Sequence, residues 1–183
     1  SSEADHIKEK DFTKLKFVSI GRLEKQKNYI SLIFAFCEFY KTNKNSTLDI
    51  YGNGSLRNKL EKNIRKFGLS NVIHIHGFSP NIEEEFEKYN VFLMPSLYEG
   101  FPNALIEAAS NSLLCVSTMF DPFIVELLNN SGYIINGNNP KNILDSLKKL
   151  SNEIGKLKEL SHNGYKNISE NDRKGFYGPD QSD

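Results

Sequence analysis

Short apolar segments and segments of helical period alternate along most of this 183-residue chain, and each apolar segment ends in glycine or in a polar loop. The first apolar segment, Lys16-Phe17-Val18-Ser19-Ile20, is ended by Gly21, and a one-sided helical pattern follows from about residue 28. Strands that alternate with helices are typical of a parallel sheet with helices on both faces. We therefore predict an α/β fold of this kind, whose ligands bind beyond the carboxyl ends of the strands.

The same pattern divides the chain into elements of one domain. Strands are predicted at residues 16–20, 47–51, 72–76, 91–94, 113–117 and 132–135. Helices are predicted from about residue 28, from a cap at Ser55 to Gly68, and at residues 82–89, 102–111, 123–129, 140–150 and 153–163. We interpret residues 1–15 as a linker or approach segment, residues 16–170 as the domain, and residues 171–183 as a loosely ordered tail.

Composition places the chain among globular proteins and disfavours several function classes. Its 23 basic and 23 acidic side chains balance, which argues against a general nucleic-acid binder. Cys37 and Cys115 lie in apolar surroundings and indicate free thiols, so we expect a reducing compartment such as the cytoplasm. No run approaches the ~18 apolar residues of a membrane span, and the first residues lack a signal-peptide pattern.

Residues 95–107 carry the most specific pattern. This stretch follows an apolar run and leads into helix formers, so we expect Gly100 to allow a tight turn and Pro102 to take the first helical position. The amides at this helix start suit a phosphate oxygen. They belong to Asn103, Ala104 and Leu105. The carboxylates of Glu99 and Glu107 flank the helix start and suit a vicinal diol. We therefore predict a ligand with both phosphate and hydroxyl groups, the alternative being two merely exposed acids.

Other loops at strand ends carry weaker candidates. After the first strand, Gly21 lets a ligand approach the backbone, and Arg22 and Lys27 can converge on an anion, although a solvated basic loop is the alternative. The turn 52–54 has two glycines, which either serve the turn or make room for a ligand. The strand 72–76 holds two histidines that point the same way, but no third ligand with supporting spacing is visible. We predict ordinary strand histidines and no metal site.

Together these segments resemble the retaining glycosyltransferases of family 4, which have the two-domain GT-B fold. The resemblance covers residues 16–170, and Glu99 with Glu107 matches the family's Glu-x7-Glu signature. The other matching segments are Gly100-Phe101-Pro102, Gly21-Arg22-Leu23, Lys27-Asn28, Tyr51-Gly52-Asn53-Gly54 and His74 through Phe78. The resemblance implies a single Rossmann-like domain that corresponds to the C-terminal, donor-binding half of such an enzyme.

The resemblance also implies a nucleotide diphosphate sugar as donor, most often linked to UDP, bound without a divalent metal or other cofactor. Arg22 and Lys27 would hold the diphosphate and would form the catalytic set with Glu99, which would bind sugar hydroxyls. Glu107 would bind the ribose diol, and the amides of residues 101–105 would bind sugar hydroxyls and the distal phosphate. The donor-binding residues implied besides Glu107 are Gly21, Gly54, Phe78, Gly100, Phe101, Asn103, Ala104 and Leu105.

The resemblance further implies partners outside the domain. The family's N-terminal domain binds the acceptor, and residues 1–15 cannot form it, so we expect a fragment that binds nucleotide with little or no sugar transfer. The acceptor is expected to be a glycan or a lipid-linked sugar, with the full-length protein at the inner face of the membrane. One departure is segment 121–126, which keeps Glu126 but lacks the glycines of the family's Gly-Gly-x-Pro-Glu segment. The alternative function is a nucleotide-binding or interaction module without transferase activity.

Overall fold

The computed structural model describes residues 8–173. Its strands are β1 (Leu15–Ile20), β2 (Ser46–Tyr51), β3 (Ile73–His76), β4 (Val91–Met94), β5 (Leu114–Thr118) and β6 (Gly132–Ile135). They form one sheet in the order β3-β2-β1-β4-β5-β6, in which every neighbouring pair is parallel. The predicted parallel sheet is confirmed.

The helices cover both faces of this sheet. They are α1 (Tyr29–Tyr40), α2 (Arg57–Lys66), α3 (Ile82–Glu85), α4 (Asn103–Ser110), α5 (Pro122–Leu127), α6 (Pro140–Asn152) and α7 (Ile154–Arg173). Alternate strand residues belong to two separate apolar cores: Leu93 lies in the first and Phe92 in the second. The first core is filled by α1, α2 and α6, and the second by α4 and α5. All four residues of β4 are buried, because the strand lies at the centre of the sheet and is covered on both faces. Its continuous apolar run therefore indicates a central strand.

The last helix is longer than predicted. Its expected end near Asn163 is wrong, because α7 continues to Arg173. Leu157 near its start packs in the first core and Ile168 packs in the second, so the helix passes from one face to the other. The Asn163 amide also donates to the Asn130 carbonyl at 2.8 Å. These contacts give the second half of α7 a packed surface that a short-range pattern did not reveal.

Smaller differences concern element ends. The predicted helix 82–89 is divided into α3 and a 3-10 turn, Phe86–Lys88. Gly68 does end α2, with a left-handed φ of 67°. Residues 1–7 of the predicted linker and 174–183 of the predicted tail lie outside the described residues, and the domain boundaries stay a prediction. No helix within residues 8–173 combines the length and the apolar character needed to cross a membrane.

The strand order creates a crevice at one place on the carboxyl edge of the sheet. From β1 the chain proceeds to β2 and β3 on one side and then returns to β4 on the other side of β1. Ligands of open parallel sheets bind where the strand order reverses in this way. The loops that follow β1 and β4 therefore border the expected ligand site.

Candidate functional site

The loops after β1 and β4 are hydrogen-bonded to each other across this crevice. A 3-10 turn, Lys25–Lys27, lies in the first loop. The carbonyl of Gln26 accepts a hydrogen bond from the Leu97 amide at 2.8 Å, and its side-chain amide donates to the Tyr98 carbonyl at 3.0 Å. The two loops that the sequence singled out separately thus form one structural unit.

Within this unit Lys27 and Glu99 form an ion pair. The distance from Lys27 Nζ to Glu99 Oε1 is 2.5 Å, and the two side chains are only 16% and 10% exposed. Ser96 Oγ donates to the same carboxylate oxygen at 2.7 Å. The sequence predicted both residues as site residues but not their contact, because 72 positions separate them. Each charge therefore neutralises the other.

Gly21 provides the space in which the Lys27 side chain lies. A Cβ at position 21 would come within 2.6 Å of Lys27 Cε and 3.1 Å of the Tyr29 hydroxyl, and the φ of Gly21 is 155°. Gly21 thus has a structural reason that needs no ligand, and the predicted approach of a ligand to its backbone stays a prediction. Tyr29 is fully buried beneath, and burial raises the pKa of its hydroxyl, so the ring is neutral. Arg22, the other predicted cation, is exposed.

The glycines after β2 serve loop packing. A Cβ at Gly52 would lie 2.0 Å from the Gly21 carbonyl oxygen, and one at Gly54 would lie 2.5 Å from that of Leu23. Leu23 also donates its amide to the Asn53 carbonyl at 2.9 Å. Gly54 thus has a structural reason that needs no ligand, and its predicted donor contact stays a prediction.

Ser55 connects the loop after β2 to the loop after β1 instead of capping α2. Its amide and its hydroxyl both donate to the carboxylate of Glu24, at 2.8 and 2.6 Å, and these bonds lower the pKa of Glu24. The predicted cap at Ser55 is wrong, because α2 begins at Arg57, after Leu56, without a side-chain cap. The sequence could not show this, since Glu24 is 31 positions away.

The start of α4 also differs from the prediction. Pro102, with ψ of 57°, is not helical, and α4 begins at Asn103. The reason is a tight turn in which the Asn103 amide donates to the Phe101 carbonyl at 2.9 Å. The Leu105 amide donates to the Pro102 carbonyl at 3.1 Å. Of the three amides predicted for phosphate, only that of Ala104 lacks a backbone acceptor among residues 8–173.

Gly100 lies beside open space. Its φ is outside the left-handed region, so its backbone conformation is one that other residues can also adopt. A Cβ built there would meet no atom within 4 Å. The backbone before α4 is therefore accessible to a ligand.

Glu107 and two aromatic rings complete the set of predicted residues. Glu107 is half-buried one turn into α4, and burial together with the charge of Glu83 raises the pKa of its carboxyl. Phe78, after β3, is 76% exposed, and Phe101 is 52% exposed and stacks on Phe123 with ring centroids 5.9 Å apart. Exposed rings at the edge of a site suit the flat face of a nucleobase.

The segment that departs from the family pattern forms the start of α5. Asp121 caps this helix by accepting a hydrogen bond from the Phe123 amide at 2.8 Å, and Pro122 occupies its first position. Glu126, whose type the family shares, is exposed on the same helix. The cap and the proline explain how the chain forms this turn without the family's glycines.

The strand histidines have a partner that the sequence did not reveal. His76 Nε2 lies 2.5 Å from Asp49 Oδ1, and His74 Nδ1 lies 3.6 Å from the same oxygen. The register of β2 and β3 places Asp49 opposite His74. No three His, Cys, Asp or Glu side chains in the described part of the chain are grouped so that they could hold a metal ion.

Comparison with known proteins gives the family. The family model described as glycosyl transferases group 1 matches residues 2–167. This chain belongs to that family. The six-stranded parallel sheet is thus that of a glycosyl transferase domain.

Individual relatives agree with this assignment. A Campylobacter jejuni enzyme, N-acetylgalactosamine-N,N'-diacetylbacillosaminyl-diphospho-undecaprenol 4-alpha-N-acetylgalactosaminyltransferase, is 31% identical over 88% of this chain and 43% of its own length. The crystal structure of the C-terminal domain of a glycosyl transferase group 1 family protein (LpcC) from Francisella tularensis has a TM-score of 0.78 at 20% identity, with 85% of each chain covered. A mutant of S. aureus TarM in complex with Fondaparinux, alpha-GlcNAc-glycerol and UDP has a TM-score of 0.78 at 24% identity, covering 86% of this chain and 32% of TarM.

The matches also show how much of each relative this chain covers. The chain spans between 23% and 43% of the length of the curated relatives it matches. Its fold corresponds to the C-terminal domain of GT-B glycosyltransferases, as predicted.

Proposed function

We propose that this chain is the donor-binding domain of a retaining, metal-independent glycosyltransferase and that it binds the diphosphate of a nucleotide sugar in the crevice between β1 and β4. The observation that carries the proposal is the Lys27–Glu99 pair, which places a cation and a hydroxyl acceptor side by side at the switch point of the sheet. A nucleotide sugar needs both kinds of group within one site.

The proposed division of roles follows from the environment of each group. Lys27 and the exposed Arg22 bind the diphosphate, assisted by the open Ala104 amide at the start of α4. Glu99 accepts hydrogen bonds from the donor sugar. Glu107, half-buried and short of counter-charge, accepts hydrogen bonds from the ribose diol, which satisfies a carboxylate without adding charge.

Cations and helix amides can stabilise a leaving diphosphate electrostatically, which is the chemistry a metal ion supplies in other transferases. UDP as the nucleotide is supported by the fold shared with the UDP complex of TarM. A lipid-linked or glycan acceptor is supported by the diphospho-undecaprenol substrate in the name of the Campylobacter relative. We propose that a separate N-terminal domain binds this acceptor, and that the full-length enzyme works in the cytoplasm at the inner face of the membrane.

Calorimetric titration of the 183-residue chain with UDP, GDP and ADP tests the proposal. We expect UDP to bind most tightly, and Lys27→Ala and Arg22→Ala each to weaken binding by about 1.5–3 kcal/mol, as for a charge-assisted contact. Lys25→Ala, which removes the same charge from an exposed position of the same loop, is the matched control. Equal UDP affinity for the parent and for Lys27→Ala would refute the site.

The proposal also predicts what the chain does not do by itself. Incubated with radiolabelled UDP-sugar and a lipid-linked acceptor, it should release little labelled product, because the proposed acceptor-binding domain is supplied by another part of the enzyme. Efficient transfer by this chain would contradict the proposed division between two domains.

A further inference from the structure

Asn28 has a backbone conformation that few residue types adopt. It precedes α1 with φ 59° and ψ 30°, and only Asn28, Ser112 and Asn130 have positive φ among the non-glycine residues that the structure describes. Asparagine tolerates this left-handed region better than most residues. Its carbonyl accepts the first hydrogen bond of α1, from the Leu32 amide at 3.2 Å.

The side chain of Asn28 connects three loops at the carboxyl edge of the sheet. Its Nδ2 donates to the Pro95 carbonyl at 3.0 Å and to the Asn138 carbonyl at 2.7 Å. Pro95 begins the loop after β4, and Asn138 lies in the loop after β6. Both partners are acceptors, so the amide nitrogen rather than the oxygen must face them, and both of its hydrogens are used.

These bonds act at the residue next to Lys27. The loop that carries Lys27 is thereby attached to the start of the loop that carries Glu99, and both are attached to the loop after β6. Lys27 carries its point charge on a flexible four-carbon side chain, so the backbone position sets which atoms the charge can reach. Its reach to Glu99, and to any ligand in the crevice, depends on where its own Cα is fixed.

We propose that Asn28 is a positioning residue for diphosphate binding: its side-chain amide fixes the loop so that Lys27 Nζ reaches the crevice. The inference rests on the proposed function, in which Lys27 binds the diphosphate. Asn28 does not itself contact the ligand in this account.

Two substitutions distinguish the role of the Asn28 side-chain hydrogen bonds from that of its left-handed backbone conformation. Asn28→Gly keeps the left-handed conformation without steric strain but removes both hydrogen bonds. Asn28→Asp keeps the size and tolerates the same φ, but its carboxylate has no hydrogen to donate and faces two carbonyl oxygens. Asn130→Gly is the matched control, since Asn130 has φ 55° and lies before β6, at the opposite edge of the sheet.

The test is a double-mutant cycle on UDP affinity, measured by calorimetry on the 183-residue chain. We expect Asn28→Gly to weaken UDP binding about tenfold, which is about 1.4 kcal/mol, and Asn28→Asp to weaken it at least as much. Asn130→Gly should leave the affinity unchanged. In a Lys27→Ala background, Asn28→Gly should change the affinity by less than about twofold, because the group it positions is gone.

The outcomes distinguish this inference from the proposed function. If the parent chain binds UDP and Lys27→Ala weakens that binding, but Asn28→Gly binds as the parent does, the positioning role is refuted while the function stands. Additive losses in the double mutant also refute it, since a purely structural effect of Asn28 would add to the loss of Lys27. If the parent does not bind UDP, the proposed function itself is refuted.

Discussion

The Lys27–Glu99 ion pair predicts that substitution of a site residue increases affinity: removing the Glu99 charge should tighten diphosphate binding. Lys27 Nζ is paired with Glu99 Oε1 at 2.5 Å, with both side chains largely buried. A diphosphate must take Lys27 away from this partner. Glu99→Gln lowers the free energy that this exchange requires and also removes a negative charge close to the ligand.

The size of the effect follows from the pair. Opposite unit charges about 4 Å apart attract by about 4 kcal/mol at an effective dielectric constant of about 20. Desolvation offsets part of this attraction, and the net contribution of a charge-assisted hydrogen bond is about 1.5–3 kcal/mol. A glutamine oxygen can still accept hydrogen bonds from Lys27 and Ser96, so we expect Glu99→Gln to keep about half of this net contribution. A gain of about 1 kcal/mol corresponds to roughly fivefold tighter binding.

Calorimetry at pH 7 with UDP and with inorganic pyrophosphate measures this gain. Glu107→Gln is the control, because it removes a carboxylate near the same loop, and Glu107 has no lysine partner among residues 8–173. It should weaken UDP binding and leave pyrophosphate binding unchanged. Weaker binding of both ligands by Glu99→Gln would show that Glu99 does not compete for Lys27, and the exchange would be refuted.

Three further predictions concern neighbouring positions. Gly52→Ala should lower the free energy of unfolding by about 3 kcal/mol, at the upper end of overpacking effects, because its Cβ would meet the Gly21 carbonyl. Gly155→Ala, in open space on α7, should raise the free energy of unfolding by up to about 1 kcal/mol. Urea titrations that rank the two variants otherwise would contradict this packing. Glu107→Gln should raise the melting temperature at pH 7, and the gain should vanish below about pH 4, because an acid with a raised pKa destabilises the folded state only when ionised. Gly100→Ala should leave the melting temperature unchanged but weaken UDP-sugar binding, and unchanged binding would show that no ligand approaches that backbone.

The parts of the fold that the sequence predicted are those set by local pattern. The run 91–94 is apolar without interruption, and β4 has the same bounds, because a central parallel strand is buried on both faces. The end of α7 was missed because Ile168 packs on a core built from residues more than thirty positions earlier. Pro102 was misplaced because a tight turn at Phe101 delays the helix start by one residue.

The site was predicted as a set of residue types but not as an arrangement. Lys27 was predicted to bind the diphosphate and Glu99 to bind sugar hydroxyls. Their contact with each other depends on the order of the strands in the sheet and not on their spacing in the sequence. The same holds for Asn28, whose amide bonds a carbonyl 110 positions later. Short motifs indicate which chemistry is present, whereas long-range hydrogen bonds decide which groups meet.

A crystal structure of the chain with UDP is the measurement that tests the central claim most directly. We predict the diphosphate in the crevice between β1 and β4, with Lys27 Nζ moved from Glu99 to a phosphate oxygen and Glu107 bonded to the ribose hydroxyls. UDP bound elsewhere on the domain, with the Lys27–Glu99 pair intact, would contradict this prediction.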